Sequence, residues 1–251
     1  MNNKILFMIA YGLVTLFLSA CEQTDYLPCV RPSGSAVEES RIAESFSEIN
    51  VYMHANVYIS KGEQHSITIV AAPNILEHIE VRSTGQTLFV DNNRCLRTRT
   101  DDINIFITTP EIEKLGLSGS GNIFLDKGFE GEHLRLSLSG SGKILAEGII
   151  FQRVDTHLSG SGSIQTSGYT LQQNVSISGS GKADSYFLES KKTSVKVSGS
   201  GSAKVFVTEY LDGRITGSGK IWYIGNPTVN VSIAGSGTIH HVEQEFHFVK
   251  N

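Results

Sequence analysis

One short motif recurs seven times in this chain and limits what it can fold into more than any other feature. The copies are Leu117-Ser-Gly-Ser-Gly-Asn-Ile123, Leu138-Ser-Gly-Ser-Gly-Lys-Ile144, Leu158-Ser-Gly-Ser-Gly-Ser-Ile164 and Ile177-Ser-Gly-Ser-Gly-Lys-Ala183. Then follow Val197-Ser-Gly-Ser-Gly-Ser-Ala203, Ile215-Thr-Gly-Ser-Gly-Lys-Ile221 and Ile233-Ala-Gly-Ser-Gly-Thr-Ile239. Their first glycines are separated by 21, 20, 19, 20, 18 and 18 residues. A flexible Gly/Ser linker has no reason to place an apolar residue on both sides of each Gly-Ser-Gly at a nearly constant period. A fixed period near 20 is the mark of a solenoid, in which one repeat buries its apolar side only against its neighbours.

The predicted fold is therefore all-β: a parallel β-helix-like solenoid of about seven Gly-Ser-Gly coils. Each coil climbs by one strand spacing, about 4.8 Å. Val175 and Ile177, Val195 and Val197, and Val229, Val231 and Ile233 recur at period two and are predicted to face inward. Gly-Ser-Gly is the corner, where glycine accepts positive φ and a close approach from the next coil. Corners in register would stack Ser120, Ser141, Ser161, Ser180, Ser200, Ser218 and Ser236. The repeat region is placed at 116–240. Residues 45–115 alternate without the motif, as in Ile49, Val51 and Met53 or Ile103, Ile105 and Ile107. They are predicted to form an atypical β-rich N-terminal section that caps the solenoid, with 241–251 capping the other end.

The N-terminus reads as an export signal over residues 1–20. Lys4 precedes an apolar run from Ile5 to Leu18, which is too short to span a bilayer. Leu18-Ser-Ala-Cys21 resembles a bacterial lipobox, which implies that Cys21 is lipidated and becomes the first mature residue. Residues 21–44 are then a lipidated tether. The expected location is the bacterial envelope, on the outer membrane and facing the periplasm or the surface. Cys29 and Cys95 remain; in an exported chain they can pair, or stay as two free thiols. Without the signal, 20 basic residues face 25 acidic ones, a net charge of −5, with no basic run. Nucleic acid is not an expected partner.

The serial Ser-Gly-Ser-Gly-x-Ile motifs, after an opening Phe46-Ser-Glu-Ile-Asn-Val-Tyr52, resemble a bacterial family: putative auto-transporter adhesin, head GIN domain. The resemblance covers about residues 45–245. It implies a β-helix class of fold on exported, often lipidated proteins. It supplies no catalytic residue to carry over, and the pectinase-like label of some members rests on fold analogy, which brings no chemistry with it.

Candidate chemistry is sparse. Calcium-binding glycine-rich repeats need an Asp after the Gly-x-Gly pair, where this chain has Asn122, Lys143, Ser163, Lys182, Ser202, Lys220 and Thr238. Glycoside hydrolysis needs two carboxylates a few ångströms apart. Asp184 has only Gln165 and Lys204 one period away, and Asp101-Asp102 and Glu38-Glu39 are adjacent residues that point apart on a strand. His240, His241 and His247, with Glu243 and Glu245, form a polar C-terminal cluster. The serine row has no recurring base beside it. No cofactor or metal pattern emerges.

Two features suggest a ligand surface. Lys143, Lys182 and Lys220 fall on alternate coils, roughly 10 Å apart when stacked, and are either a thin cationic row for acidic glycans or ordinary solvated surface lysines. Trp222-Tyr223 and Tyr186-Phe187 are adjacent aromatics, of which one ring in each pair is expected inside and the other outside. The expectation is a non-catalytic lipoprotein that binds a glycan or protein as an adhesin. A polysaccharide-degrading β-helix enzyme and a structural or signalling envelope component are the alternatives.

Overall fold

A computed structural model describes residues 28–42 and 44–243. In chain order the strands begin with β1 (Val37–Arg41), β2 (Glu48–Val51), β3 (Asn56–Lys61) and β4 (Ser66–Ala71). A short helix, α1 (Pro73–Leu76), precedes β5 (Ile79–Thr84), β6 (Thr87–Asn92) and β7 (Asn104–Thr109). The repeat region holds β8 (Lys114–Gly119), β9 (Asn122–Leu125), β10 (Glu130–Gly140), β11 (Lys143–Gly160) and β12 (Ser163–Gly179). It ends with β13 (Lys182–Gly199), β14 (Ser202–Gly217), β15 (Lys220–Ile224), β16 (Thr228–Gly235) and β17 (Thr238–His241). The protein is all-β, and the seven motifs bound a β-solenoid of about six turns.

The corners stack in register. Gly119, Gly140, Gly160, Gly179, Gly199, Gly217 and Gly235 pair in series between successive parallel strands. Gly160 shows why no other residue serves. Its φ is +113°, and a Cβ there would lie 2.5 Å from the Gly140 carbonyl oxygen. That carbonyl accepts the Ser161 N–H at 3.0 Å, so the ladder of backbone hydrogen bonds continues around the bend. The second glycine is held tight for a different reason: a Cβ on Gly162 would meet Leu138 Cδ2 at 2.7 Å and the Gly142 oxygen at 2.5 Å.

Inward positions keep period two only within a face. In β11 the buried series is Ile144 and Ala146, then Ile149 and Phe151, then Val154, Thr156 and Leu158. The three-residue steps from 146 to 149 and from 151 to 154 mark bends. With the Gly-Ser-Gly corner they give each long coil three faces. We number them from that corner: first (143–146), second (149–151) and third (154–158).

The middle coils carry polar groups inside. Gln173, fully buried, donates from Nε2 to Ser185 Oγ at 2.8 Å. Thr166 donates to the same hydroxyl oxygen at 2.8 Å, and Ser190 and Thr193 meet at 2.6 Å. Ser190 also donates to the Phe206 carbonyl at 2.7 Å. These bonds answer the desolvation of groups that would otherwise be costly to bury.

The N-terminal section departs from chain order. β2 pairs in parallel with both β6 and β8, and β3 with both β7 and β9. The first coil in sequence is thus inserted between the β6–β7 coil and the repeat region. Below it the pairing turns antiparallel, β5 on β6, β4 on β7 and β1 on β4. With α1 burying Ile75 and Leu76, these strands close that end.

Part of the stretch expected to be tether is laid on this cap: β1 pairs with β4, and Val30 bridges to Leu96. Cys29 and Cys95 form a disulfide. The opposite end is open among the described residues. Val229 and Ile233, in line with buried Leu211 and Ile215, are 40% and 43% exposed. The expected C-terminal cap, 241–251, lies mostly outside the described residues, as do Cys21 and the export signal.

Candidate ligand surface

Position on a solenoid face follows from register. Counting from Asn122, the outward ladder nearest the corner on the first face runs Asn122, Lys143, Ser163, Lys182, Ser202, Lys220 and Thr238. The three lysines therefore stand in one axial row with a serine between each pair. Two strand spacings separate them, about 9.6 Å. Among the described residues the ion-paired lysines are Lys61, Lys114, Lys191 and Lys204, so none of the three in the row is neutralised by a neighbour.

The row has distinct flanks. On the corner side stand the central motif serines, all exposed. Ser120 Oγ meets His54 Nδ1 at 3.0 Å, because His54 takes the corner place in the inserted coil. On the other side the ladder is Leu145, Gln165, Asp184, Lys204 and Trp222. Its one carboxylate, Asp184, pairs with Lys204 at 3.2 Å. Lys204 also lies 5.2 Å from the Tyr186 ring centre. Burial pushes the Tyr186 phenol up from its ordinary pKa, and the Asp184 charge adds to that.

The aromatic pairs do not divide into one inner and one outer ring. Ile221 and Ile224 take the inward places beside Trp222 and Tyr223, and both rings are half-buried on the outside. Ser185 and Leu188 do the same for Tyr186 and Phe187, and Phe187 is 80% exposed. The cause is the bend between the first and second faces, which resets the alternation; the register there slips between Ser185 and Glu189.

Trp222 and Tyr223 are also not bare platforms. Trp222 stacks on His240 at 5.7 Å and Tyr223 on His241 at 4.8 Å. Lys220 Nζ lies 5.8 Å from the Trp222 ring centre. In an in-register ladder each ring covers its neighbour's face, and the same holds for Phe106, Tyr58 and Phe124, stacked at 5.2 and 5.0 Å.

A second cluster had no signal in the sequence. At the start of the third face, Asp155 is 5% exposed. It accepts hydrogen bonds from Arg153 Nε at 2.9 Å, Asn174 Nδ2 at 2.7 Å and His133 Nε2 at 2.8 Å. Burial alone would push its carboxyl up. The three hydrogen bonds and the Arg153 charge outweigh burial and hold it down at about 2. The carboxylate in turn raises the Arg153 guanidinium. An ionised, triply bonded Asp155 orients His133 and is the opposite of a general acid.

Next to it, Glu48, Glu111, Glu113, Glu130 and Glu132 share the lining of a hollow of about 450 Å³ with Lys114 and Arg135. Glu48 is engaged by Lys114 at 3.3 Å and Thr87 at 3.1 Å. The 21-residue offset between β8 and β10 sets Glu132 one coil from Glu111, so the stacking that isolates Asp184 gathers these carboxylates.

Solved structures share this architecture. A putative adhesin from Bacteroides fragilis aligns with a TM-score of 0.78 at 21% identity, over 85% of this chain and 100% of that one. A putative lipid binding protein from Parabacteroides distasonis gives 0.70 at 22%, over 86% and 100%. A putative adhesin from Parabacteroides merdae gives 0.63 at 18%, over 86% and 100%. At these identities the likeness is one of fold. Among curated proteins, no sequence match is found. Residues 45–227 match a family model that spans both the inserted N-terminal coil and the stacked corners, and the chain belongs to that family: putative auto-transporter adhesin, head GIN domain.

Proposed function

We propose that this chain is an exported, lipid-anchored and non-catalytic binding module of adhesin type, with its ligand surface on the first face. The observation that carries the reading is the axial row Lys143, Lys182 and Lys220, aligned over four strand steps with no ion-pair partner among the described residues. Three aligned cations on a rigid sheet repel one another and gain no partner within the described residues, which favours an external anion. Family membership supports the same reading, and the fold shared with the putative adhesin from Bacteroides fragilis agrees with it. The Leu18-Ser-Ala-Cys21 sequence supports a lipid anchor on the bacterial envelope.

Two experiments test this. Metabolic labelling with palmitate is expected to mark the protein, and Cys21→Ala is expected to abolish the label and release the protein from membranes. An unlabelled wild-type protein removes the anchor from the account. Screening the mature protein on glycan and matrix-protein arrays is expected to give saturable binding that Lys143→Gln/Lys182→Gln/Lys220→Gln weakens. Binding that the triple variant leaves intact moves the surface elsewhere.

A second reading, polysaccharide cleavage, is favoured by the glutamate-lined hollow. It requires a carboxylate that holds a proton near neutral pH. Release of reducing ends from polysaccharides, lost in Glu111→Gln or Glu132→Gln, would establish it. The binding-module reading expects no release.

A further inference from the structure

The first face carries a length scale as well as a charge, and this inference rests on the binding reading above. Lys143, Lys182 and Lys220 recur at every second strand, about 9.6 Å apart, so the row spans about 19 Å. Ser163 and Ser202 occupy the intervening steps. Exposed hydroxyls of Ser141, Ser161, Ser180, Ser200 and Ser218 border the row on one side, and the Gln165 amide stands on the other. The only carboxylate in the adjoining ladder, Asp184, is occupied by Lys204 at 3.2 Å.

A ligand that satisfies all of this is linear, carries one negative charge per two strand steps, and is rich in hydroxyls between the charges. The period is close to the axial length of an extended disaccharide. We infer that the row binds a linear anionic glycan with one charge per disaccharide, lying along the solenoid axis. Each lysine meets one acidic group, and the serine and glutamine groups between them meet neutral-sugar hydroxyls. A polymer charged at every sugar would place every second charge over a serine, where it gives up water, meets no cation and binds at a net cost. Trp222 is stacked on His240 and Tyr223 on His241, so each offers a sugar one ring face at most.

The test uses the full mature protein and three immobilised polymers. Hyaluronan carries one carboxylate per disaccharide, polygalacturonate one per sugar, and dextran none. Hyaluronan is expected to bind best, with affinity falling as salt is raised. Lys143→Gln/Lys182→Gln/Lys220→Gln is expected to bind it about tenfold more weakly, as three exposed ion pairs of modest strength imply. Lys191→Gln/Lys192→Gln/Lys196→Gln makes the same change in net charge away from the row and is expected to bind as wild type. Melting curves of both triple variants confirm that the fold is retained. Equal or better binding to polygalacturonate or dextran, or equal losses in the two triple variants, overturns the charge-spacing inference and leaves a binding module with another ligand. Absence of binding to these polymers and to every arrayed glycan and protein overturns the inference and the binding reading together.

Discussion

Replacing Gly160 by alanine isolates what the repeated corner demands. The substitution puts a Cβ on a residue at φ +113°, where a left-handed backbone costs a side-chain-bearing residue about 1–2 kcal/mol. It also brings that Cβ within 2.5 Å of the Gly140 oxygen. The coil must move away, stretching the 3.0 Å bond from Ser161 N–H to Gly140, a rearrangement like core overpacking that costs about 1–3 kcal/mol. The two effects together predict a loss of about 2–5 kcal/mol.

Gly85→Ala separates them. Its φ is +59°, with no atom within 4 Å of the new Cβ, so only the conformational cost of about 1 kcal/mol applies. Ser161→Ala keeps both glycines and removes only an exposed hydroxyl, which predicts a change within about 0.5 kcal/mol. Urea unfolding followed by circular dichroism measures all three, compared at constant slope. If Gly160→Ala falls within about 1 kcal/mol of Gly85→Ala, the close approach between coils is not what selects glycine, and the account of the repeat fails.

Three other outcomes follow from the structure. The disulfide closes a loop with a sequence separation of 66, so Cys29→Ser/Cys95→Ser is expected to lower stability by about 4 kcal/mol in the chain-entropy model, seen as a fall in unfolding midpoint that matches reduction of the wild type. Asp155 is held at about 2, below its unfolded value of about 3.9, so it contributes about 2 kcal/mol that is fully present above about pH 4 and is lost as pH falls towards 2. Asp155→Asn should therefore be less stable at pH 7 and converge on the wild type near pH 2 in an acid unfolding series; a constant difference would contradict the assigned cause. Gln173→Ala leaves Ser185 and Thr193 short of a buried partner and opens a cavity, which predicts a loss of about 2–4 kcal/mol by the same urea assay.

The repeat made the solenoid, its corner and its lysine row legible, because glycine at a backbone contact and strict parallel register leave few alternatives. Lys143, Lys182 and Lys220 could be placed on one ladder from spacing alone. Alternation was a poorer guide near bends. Trp222 and Tyr223 sit side by side on the outside because the chain turns after Ile221, and no local residue announces the turn. Gln173 and Thr193 share the parity of Val175 and Val195 and do point inward. A polar side chain at an inward position is an ambiguous signal in sequence, and it takes the three-dimensional network that satisfies Gln173 and Thr193 to resolve it. The insertion of β2 and β3 between β6–β7 and β8–β9 leaves no trace in local pattern, since parallel partners are chosen by long-range packing. The grouping of His133 with Asp155 and Arg153 depends on coil-to-coil register outside the motif, where spacing drifts.

The inference most open to refutation is that the first face binds a linear anionic glycan, one charge per disaccharide, through its row of uncompensated lysines. Isothermal titration of the mature protein with hyaluronan oligosaccharides, beside Lys143→Gln/Lys182→Gln/Lys220→Gln, tests it most directly. Saturable, salt-sensitive binding by the wild type is expected, weakened about tenfold in the triple variant while the melting temperature holds. Identical titration curves for the two proteins would contradict it.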